Sequence, residues 1–488
     1  MQQLRREASR WFGGLAGASV RQLSNGVGVD YLLFIVAFTA SGLGAYSLGF
    51  FPYQWLAFGL AFAALVEAAR ARTLAQPPVT LLLYLLLLTW AGAVTLFQLN
   101  AGEWLWPEWR FALLRICKIA GFAVVLWCTY TIVRRYSLDV LADSIVTVGV
   151  VMSVVALYYY FAQLNGWPEL PRNRPGVTGG DQAVVFTYPF HRLLGTFLEP
   201  SLFADWMLLP MFLAWYRLRD GGRWWDGRLG VILGAVLLTG SIAAYSALAA
   251  AFATIAILWL AKRTLSLTVL CNLVLGVAIL LSCLQGYKHT NGYHIKDTSG
   301  FSSIELLAVM LAERFGSLVG EGVTTSNRGY LYKYSSQTPV SATGEGLGIA
   351  NLKLAEALDS KQPASFLNLY LAMLFGAGWI GLALLGSAMA WPLLRIARWS
   401  TLVANAEIIA MYAAYLVMFL AVADELTFSF AVVVGIVSTL GPYSDTAQSR
   451  KGVDKSKHGS HCGITSEPPL GECRGGNLQS PRIFAAKS

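Results

Sequence analysis

The chain has 488 residues, of which 56% are hydrophobic and 13% are charged, and its mean hydropathy is +0.55. Because soluble domains carry about 25% charged residues, this composition excludes an ordinary soluble globular protein. The formal net charge of +9 accompanies no nucleic-acid-binding motif, so we assign the excess positive charge to loops that face anionic lipid.

Apolar runs along the chain predict its architecture. About 20 apolar residues cross a bilayer as a helix, and a helix satisfies its own backbone hydrogen bonds in lipid. The sequence therefore predicts an all-α, polytopic integral membrane protein with about 12 transmembrane helices. The predicted spans are 29–51, 53–69, 79–99, 111–133, 140–164, 193–216, 228–241, 243–261, 265–285, 366–391, 405–423 and 426–443.

Lysine and arginine residues orient these spans, because short loops rich in them stay in the cytoplasm. Every second connection is basic, which predicts that both termini are cytoplasmic and that the other connections lie outside. This alternation also supports the division of 228–241 from 243–261, where the break in the apolar run is slight. The basic positions that follow spans are Arg70, Arg72, Arg134, Arg135, Arg217, Arg219, Lys262, Arg263, Arg395, Arg398, Arg450 and Lys451.

The segments outside the apolar runs divide the chain. Residues 1–28 form a predicted cytoplasmic segment, and residues 29–443 form the transmembrane domain. Two outer loops interrupt this domain: 165–192, rich in Pro and Gly, and 286–365, which contains predicted short amphipathic helices. The tail, 444–488, is polar and has few large apolar residues, so it is predicted to be disordered.

The C-terminal part of the larger outer loop carries two further signals. A short helix is predicted around 348–358. The preceding GEGLG at 344–348 has the glycines of a phosphate-binding loop, but it follows no strand and lacks the Lys-Ser/Thr ending. An ATP-driven pump is therefore not expected.

Ionisable residues cluster at the predicted outer end of the sixth span, where residues 191–206 read HRLLGTFLEPSLFADW. Charged groups at membrane depth are costly and persist mainly where they face a cavity, a partner or a substrate. Because Pro is favoured in the first turn of a helix, a regular helix is predicted to begin at Pro200, after an irregular segment over 193–199. Irregular backbone at this depth is tolerated only where it lines protein or a cavity. The sequence therefore predicts an outward-facing pocket that contains Glu199 and Asp205.

The larger outer loop supplies cationic and aromatic residues in the segment SNRGYLYKYSSQ. Guanidinium groups bind diphosphate bidentately, and tyrosine rings can pack on sugar faces. The candidates are Arg328, Tyr330, Tyr332 and Lys333. The alternative is structural: Arg328 and Arg192 simply pair with Glu199, Asp205 or acids of the loops.

Four segments, in this order, carry a family resemblance: RLLGTFLEPSLFA, LLTGSIAAYSALAA, NRGYLYKYSSQTPVSATGEGLG and LNLYLAMLFGAGWIGL. They are similar to the Glu-Pro-Ser, Thr-Gly-Ser, Arg-led Gly-x-Gly and Asn-x-Tyr-Leu segments of the Wzy-type O-antigen polymerase and O-antigen ligase superfamily. The resemblance covers roughly 29–443 and includes the number of spans and the large late outer loop.

The resemblance implies a glycosyltransferase at the periplasmic face of the bacterial inner membrane. It implies transfer of a glycan from undecaprenyl diphosphate to a sugar hydroxyl on another lipid-linked repeat unit, without nucleotide sugar, cofactor or metal. The implied partners are undecaprenyl-diphosphate-linked oligosaccharides, as donor and acceptor, and membrane lipids, with no nucleic acid. A chain-length-regulating co-polymerase is a further partner that the family allows. Such a reaction needs cations for the leaving diphosphate and a base near the acceptor hydroxyl.

The resemblance also suggests roles for individual residues. Glu199 is either the base or the residue that orients an arginine, Arg192 or Arg328, of a diphosphate clamp. We favour orientation at this stage, because an acid paired with an arginine is held in its charged form and is a weak base. The alternative base is His191, since histidine exchanges protons near neutral pH; an interfacial hydrogen-bonding role for it is the competing interpretation. The candidates for substrate binding are Tyr330, Tyr332, Lys333, Asp205, Asn368 and Tyr370.

Two departures from the ligase branch favour a polymerase. Ile242 stands where that branch often has an arginine after Thr-Gly-Ser, and Leu367 stands where it carries a catalytic histidine before Asn-x-Tyr-Leu. The alternative functions are a ligase, which transfers glycan to lipid A core or to protein, and a lipid-linked glycan flippase. A flippase is expected to carry charges along a central cavity through many spans, whereas here the richest cluster lies at the predicted outer face.

Overall fold

The computed structural model describes residues 28–48, 51–102, 104–170, 172–173, 192–220, 226–261, 331, 334–359, 363–396, 399–420 and 425–440. Of the residues it describes, 78% are helical, which confirms the all-α class. The helices are α1 (Val29–Ser41), α2 (Tyr53–Arg70), α3 (Val79–Ala101), α4 (Trp106–Tyr136), α5 (Leu138–Asn165), α6 (Pro200–Asp220), α7 (Gly227–Leu238), α8 (Ile242–Ala261), α9 (Ile349–Ala357), α10 (Leu369–Arg395), α11 (Trp399–Ala404), α12 (Ala406–Met418) and α13 (Phe428–Thr439). Two short antiparallel strands, β1 (Ser47–Leu48) and β2 (Phe51–Pro52), connect α1 to α2.

Five of the described helices, α3, α4, α5, α8 and α10, are long and apolar enough to cross a membrane. The chain is therefore a multi-pass membrane protein in its general character. Every predicted span overlaps a described helix except 265–285, which lies outside the described residues. The total of about 12 spans stays a prediction. The N-terminal segment, the tail from 444 and most of both outer loops also lie outside the described residues.

The helix α13 lies at the centre of the packing. Every side chain from Phe428 to Ser438 is buried, and α13 packs against α4, α6 and α12. Gly435 allows the close approach to α4, because a Cβ atom there would lie 2.7 Å from Cβ of Thr129 and 2.9 Å from the carbonyl oxygen of Leu126. Small residues permit such close approach of helix backbones in membrane proteins.

The long helix α10 is broken in its first half at Gly378, where φ is 71° and ψ is −171°. A break of this kind frees backbone carbonyl groups, which must find other donors when they are buried. The loop 341–348 supplies the donors. The N–H groups of Glu345 and Gly346 donate to the carbonyl oxygens of Phe375 and Gly376, both at 2.8 Å.

This contact explains the first glycine of the GEGLG segment. Two backbone N–H groups of the segment bind the broken helix, and the segment leads directly into α9, the short helix that the sequence predicts around 348–358. Gly344 packs so closely on α10 that a Cβ atom there would lie 2.4 Å from the nitrogen of Gly378. The segment is therefore a structural connection, consistent with the exclusion of a phosphate-binding loop.

Ion pairs join helix ends on the side of the bundle that is predicted to be cytoplasmic. Acids at the starts of α1, α5 and α12 pair with arginines at the ends of α4 and α6. The pairs are Arg135 with Asp30 at 2.9 Å, Arg217 with Asp143 at 3.0 Å and Arg219 with Glu407 at 2.8 Å. Each pair therefore joins two helix ends that the lysine and arginine distribution assigns to one face, as expected if these helices alternate in direction.

The predicted orientation gives a direct test with topology reporters. A reporter fused at residue 222 or 450 is expected to lie in the cytoplasm, and one at residue 180 or 325 outside, because the former positions lie in basic segments that follow spans and the latter in long loops of mixed charge. Paired alkaline phosphatase and fluorescent-protein fusions measure this. A cytoplasmic signal from position 325 would place the larger loop, and the chemistry proposed for it, on the wrong side of the membrane.

Candidate functional site

A cavity of about 240 Å³ lies where several helix ends meet. Its walls come from the end of α1, the start of α2, the first half of α4, the segment that leads into α6, and the segments that precede α10 and α13. The sequence predicts that all of these parts belong to the outward half of the bundle. Glu199 and Asp205 both line the cavity, as predicted.

The segment that leads into α6 is irregular, as predicted for 193–199, and the helix begins at Pro200. Its backbone is tied to neighbouring helix ends. The N–H of Leu193 donates to the carbonyl of Leu238 at 3.0 Å, and the hydroxyl of Thr196 donates to the carbonyl of Gly42 at 2.5 Å. These bonds hold the segment in place and so fix Glu199 at the mouth of α6.

Glu199 is half-buried, and its carboxylate accepts a hydrogen bond from the hydroxyl of Ser201 at 3.2 Å. Among the described residues, this carboxylate has no arginine or lysine partner within ion-pair distance. The guanidinium of Arg192 instead donates to the carbonyl oxygens of Thr239 and Gly240, at 2.9 and 3.3 Å. Arg192 thus connects the first motif segment to the Thr-Gly-Ser segment, and the pairing of Arg192 with Glu199, one of the alternatives that the sequence left open, is not among the contacts of the described residues.

Asp205 lies deeper, on the first turns of α6, with only 3% of its surface exposed. Its Oδ2 accepts a hydrogen bond from the hydroxyl of Ser429 at 3.0 Å, and Ser429 is within 3.1 Å of the hydroxyl of Thr427. Its Oδ1 has no hydrogen-bond partner in the described part of the chain. A buried polar atom without a partner is costly, so Oδ1 is available to a donor group of a ligand that enters the cavity.

The cavity also borders a set of three charged residues that the sequence did not indicate as a site. Arg115 and Lys118 on α4 both pair with Glu425, which precedes α13. The distance from Arg115 to one carboxylate oxygen is 2.9 Å, and the ammonium of Lys118 contacts the other oxygen. Arg115 and Lys118 are three residues apart, a spacing that puts both on one helix face. The sequence signal that could have indicated this pair is the presence of two cations within an apolar run.

Two helix N-termini also meet at this cavity. The helix α6 begins at Pro200, next to Glu199, and α13 begins at Phe428, beside Thr427 and Ser429. The first N–H groups of a helix have no partner within it and carry partial positive charge, so they favour anions. Together with Lys118, they place positive charge at a cavity that also holds the carboxyl groups of Glu199, Asp205 and Glu425.

Asn368 and Tyr370 serve as structural contacts next to the site. The side chain of Asn368 accepts hydrogen bonds from two N–H groups in the first turn of α10, at 3.0 and 3.1 Å, and so caps the helix. The hydroxyl of Tyr370 donates to the carbonyl of Leu416 at 2.9 Å. Their predicted contact with substrate stays a prediction.

Leu367, the residue before Asn368, lines the cavity with a backbone φ of 50°. This wall of the cavity therefore has an aliphatic side chain.

The remaining candidates lie outside the described residues: His191, Arg328, Tyr330, Tyr332 and Lys333. The next tyrosine of the same segment, Tyr334, packs against Phe375 of α10, with ring centroids 5.6 Å apart. Burial raises the pKa of the Tyr334 phenol, and the nearby carboxylate of Glu345 raises this pKa further. The loop therefore returns to the bundle at the break in α10.

The cavity thus combines one half-buried carboxylate, one buried carboxylate and the ammonium group of Lys118, which pairs with a third carboxylate. Such an arrangement can bind an anion, accept a proton and orient a hydroxyl group within one volume. Comparison with protein-family models and with curated proteins gives no match for this chain.

Proposed function

We propose that the protein is a membrane-embedded glycosyltransferase that polymerises undecaprenyl-diphosphate-linked oligosaccharide repeat units into O-antigen or exopolysaccharide. One observation carries the proposal: Glu199 and Asp205, from the first motif segment, line a cavity together with the cation Lys118. The cavity lies at helix ends predicted to face outward, where lipid-linked repeat units are expected. The resemblance of the four segments supplies the substrate class.

The proposed reaction is a direct displacement. The hydroxyl of the acceptor sugar gives its proton to a base as its oxygen attacks the anomeric carbon of the donor glycan. The bond from that carbon to the diphosphate oxygen breaks, and its electron pair leaves with undecaprenyl diphosphate. Cations near the leaving oxygen stabilise the charge that develops there, which is commonly the largest catalytic contribution. Arg115 and Lys118 are placed to supply them within the described residues.

The geometry favours Glu199 as the base. A carboxylate without an arginine or lysine partner in the described chain keeps its oxygen lone pairs accessible to a sugar hydroxyl and so can accept its proton. Orientation of Arg328, which lies outside the described residues, remains the alternative role for Glu199. Asp205, which also lines the cavity, is the second acid proposed to position a sugar hydroxyl.

One observation favours this proposal over a ligase. The ligase branch uses a histidine at the position of Leu367, and this side chain lines the cavity without any group that can exchange a proton. A flippase is the alternative from another class. Against it, the acids and cations described above form two separate groups: on α4, Lys118 and Arg135 are 17 residues apart, about 25 Å at 1.5 Å per residue.

Deletion of the gene, followed by gel analysis of surface and lipid-linked glycan, tests the proposal. A polymerase predicts that long chains disappear while single repeat units remain. Long chains that persist on the undecaprenyl carrier would instead indicate a ligase. Loss of all repeat units from the outer leaflet would indicate a flippase.

A further inference from the structure

The helix α2 ends with an arginine in a backbone conformation that usually belongs to glycine. Arg72, two residues after the last residue of the helix, has a φ of 55°. Its N–H donates to the carbonyl of Ala69 at 3.0 Å, and the N–H of Thr73 donates to the carbonyl of Ala68 at 2.8 Å. This is the Schellman arrangement, in which glycine is preferred at the left-handed position because a Cβ atom is strained there. A strained residue of this kind points to a role for its side chain.

The connection that follows α2 runs along one face of α4. The indole N–H of Trp127 donates to the carbonyl of Ala75 at 3.0 Å, and the guanidinium of Arg135 donates to the hydroxyl of Thr73 at 2.7 Å. Arg134 lies seven residues after Trp127, which puts the two side chains on one helix face, about two turns apart. Arg134 is therefore on the face that meets the connection, at the end of α4 that adjoins the end of α2.

The guanidinium of Arg134 is held by an aromatic ring and not by an acid. Its central carbon lies 5.4 Å from the centroid of the Tyr130 ring, and its Nε and Nη2 donate to the Tyr130 hydroxyl at 3.3 and 3.1 Å. Tyr130 is 6% exposed, so the bundle fixes this ring, whereas Arg134 is exposed. These contacts orient the guanidinium and leave its Nη1 group without a protein partner in the described part of the chain.

Two of the four arginines at these adjoining helix ends are neutralised by acids. The pairs are Arg70 with Glu67 at 2.6 Å and Arg135 with Asp30 at 2.9 Å. The other two, Arg72 and Arg134, are exposed, and no carboxylate of a described residue lies within ion-pair distance of either. Two unpaired guanidinium groups therefore mark this corner of the bundle, which is suited to bind a phosphate group.

We infer that Arg72 and Arg134 bind the phosphate group of an anionic phospholipid in the leaflet that faces the cytoplasm. Guanidinium groups bind phosphate oxygens through paired charge-assisted hydrogen bonds. Both arginines lie at the bundle face predicted to be cytoplasmic, where anionic headgroups attract positive side chains.

Two simpler roles of these arginines need only a positive charge: orientation of the chain in the membrane, and attraction to the negative end of a helix. Neither role needs an arginine in the strained backbone position of Arg72, or a guanidinium held in one orientation as in Arg134. The inference is independent of the proposed glycan transfer.

Titration of the purified full-length protein in neutral detergent with phosphatidylglycerol tests this inference, with phosphatidylcholine as the lipid without net charge. A lipid that binds the folded protein raises its melting temperature, which is the quantity to measure. Phosphatidylglycerol is expected to act on the wild type at lower concentration than phosphatidylcholine. Arg134→Gln is expected to need about tenfold more phosphatidylglycerol for the same rise, because a charge-assisted contact is lost. An unchanged requirement in this variant would overturn the site.

Arg72→Gly separates a structural role from lipid binding, because the two roles predict opposite changes. Glycine keeps the backbone hydrogen bonds that close α2 and relieves the strain, so in phosphatidylcholine the variant is expected to melt at or above the wild-type temperature. It is nevertheless expected to need about tenfold more phosphatidylglycerol than the wild type. Lower stability in phosphatidylcholine with an unchanged response to phosphatidylglycerol would make Arg72 purely structural and overturn the inference.

Asp359→Gly is the matched control for the backbone. Asp359 follows the end of α9 in the same left-handed conformation, with a φ of 52°, and its N–H donates to the carbonyl of Glu356 at 3.1 Å. Glycine relieves the same strain there, at the face predicted to be outer, and is expected to leave the phosphatidylglycerol requirement unchanged. An equal increase in this control would show that the response follows helix-end strain and not the arginine.

Arg70→Gln is the matched control for charge. Its side chain is 72% exposed at the same helix end, but Glu67 already neutralises it. The phosphatidylglycerol requirement is therefore expected to change little, since exposed ion pairs contribute little. A tenfold increase equal to that of Arg134→Gln would show that the response follows net charge alone, which would overturn the site.

Inorganic phosphate distinguishes a lipid headgroup from a soluble anion. It is expected to leave the melting temperature unchanged at the phosphatidylglycerol concentrations that stabilise the wild type, because only the lipid is held at the membrane boundary. Stabilisation by inorganic phosphate at the same concentrations, with the same loss in Arg72→Gly and Arg134→Gln, would overturn the assignment to a lipid. None of these measurements requires glycan transfer, so their outcome and that of the proposed polymerase are tested separately.

Discussion

Replacement of Glu199 with glutamine is expected to reduce glycan polymerisation by roughly 10²- to 10⁴-fold, the usual contribution of a general base. Glutamine keeps the size and much of the hydrogen bonding of glutamate, including acceptance from Ser201, but it cannot take a proton. The structure strengthens this expectation relative to the sequence alone, because Arg192 donates to backbone carbonyls and not to Glu199. Chain extension per folded protein molecule is the quantity to measure.

A comparison of three variants separates the roles that Glu199 could have. If it orients Arg328, the glutamine variant should keep measurable activity and Glu199→Ala should have none. If Glu199 only stabilises the fold through an ion pair, both Glu199 variants should accumulate poorly. Glu108→Gln is the control: Glu108 also lies at a predicted outer helix end, where its carboxylate accepts from the N–H of Leu105 at 2.5 Å, and an amide can keep this bond. Wild-type activity in Glu199→Ala would end any catalytic role for this acid.

Replacement of Gly378 with alanine is expected to prevent accumulation of folded protein. Its φ of 71° and ψ of −171° lie in a region that is essentially reserved for glycine, at a cost of about 1–3 kcal/mol for another residue. A Cβ atom there would lie 2.2 Å from the carbonyl oxygen of Ala342 and 2.5 Å from the nitrogen of Gly344. Both are backbone atoms, so relief requires the loop to withdraw from the break in α10, and overpacking adds about 1–3 kcal/mol.

Gly386→Ala is the matched control for this prediction. Gly386 lies in the same helix, and a Cβ atom there would meet nothing within 4 Å. Alanine is better than glycine in a helix interior by about 1 kcal/mol, so this variant should melt at or slightly above the wild-type temperature. Thermal unfolding followed by size-exclusion chromatography measures both variants. A Gly378→Ala protein with wild-type yield and melting temperature would contradict the account of the break.

Features that depend on local sequence could be predicted. Apolar run length indicated the helices, and the preference of Pro for the first turn indicated where α6 begins, which in turn placed Glu199 and Asp205 at one cavity. The short helix α9 followed from its local pattern in the same way. In each case the physical cause acts within a few residues along the chain.

Features that depend on distant contacts could not be predicted. Lys118 and Glu425 are separated by 307 residues, so no local pattern could indicate their contact. The sequence around Gly378 is as apolar as that of an unbroken span. The break could be recognised only from the structure, in which N–H groups of the loop donate to the carbonyl groups of Phe375 and Gly376. For Arg192, the sequence offered several acids as partners, but carbonyl groups at the α7–α8 junction accept its hydrogen bonds.

The most direct measurement of the central claim is the reaction of the purified protein in liposomes. The sole substrate would be an undecaprenyl-diphosphate-linked repeat unit, with nucleotide sugars left out and divalent metals chelated. We expect products with two or more repeat units, still attached to undecaprenyl diphosphate, and one free undecaprenyl diphosphate for each new linkage. If folded wild-type protein that binds the substrate leaves every repeat unit single, the protein is not a polymerase.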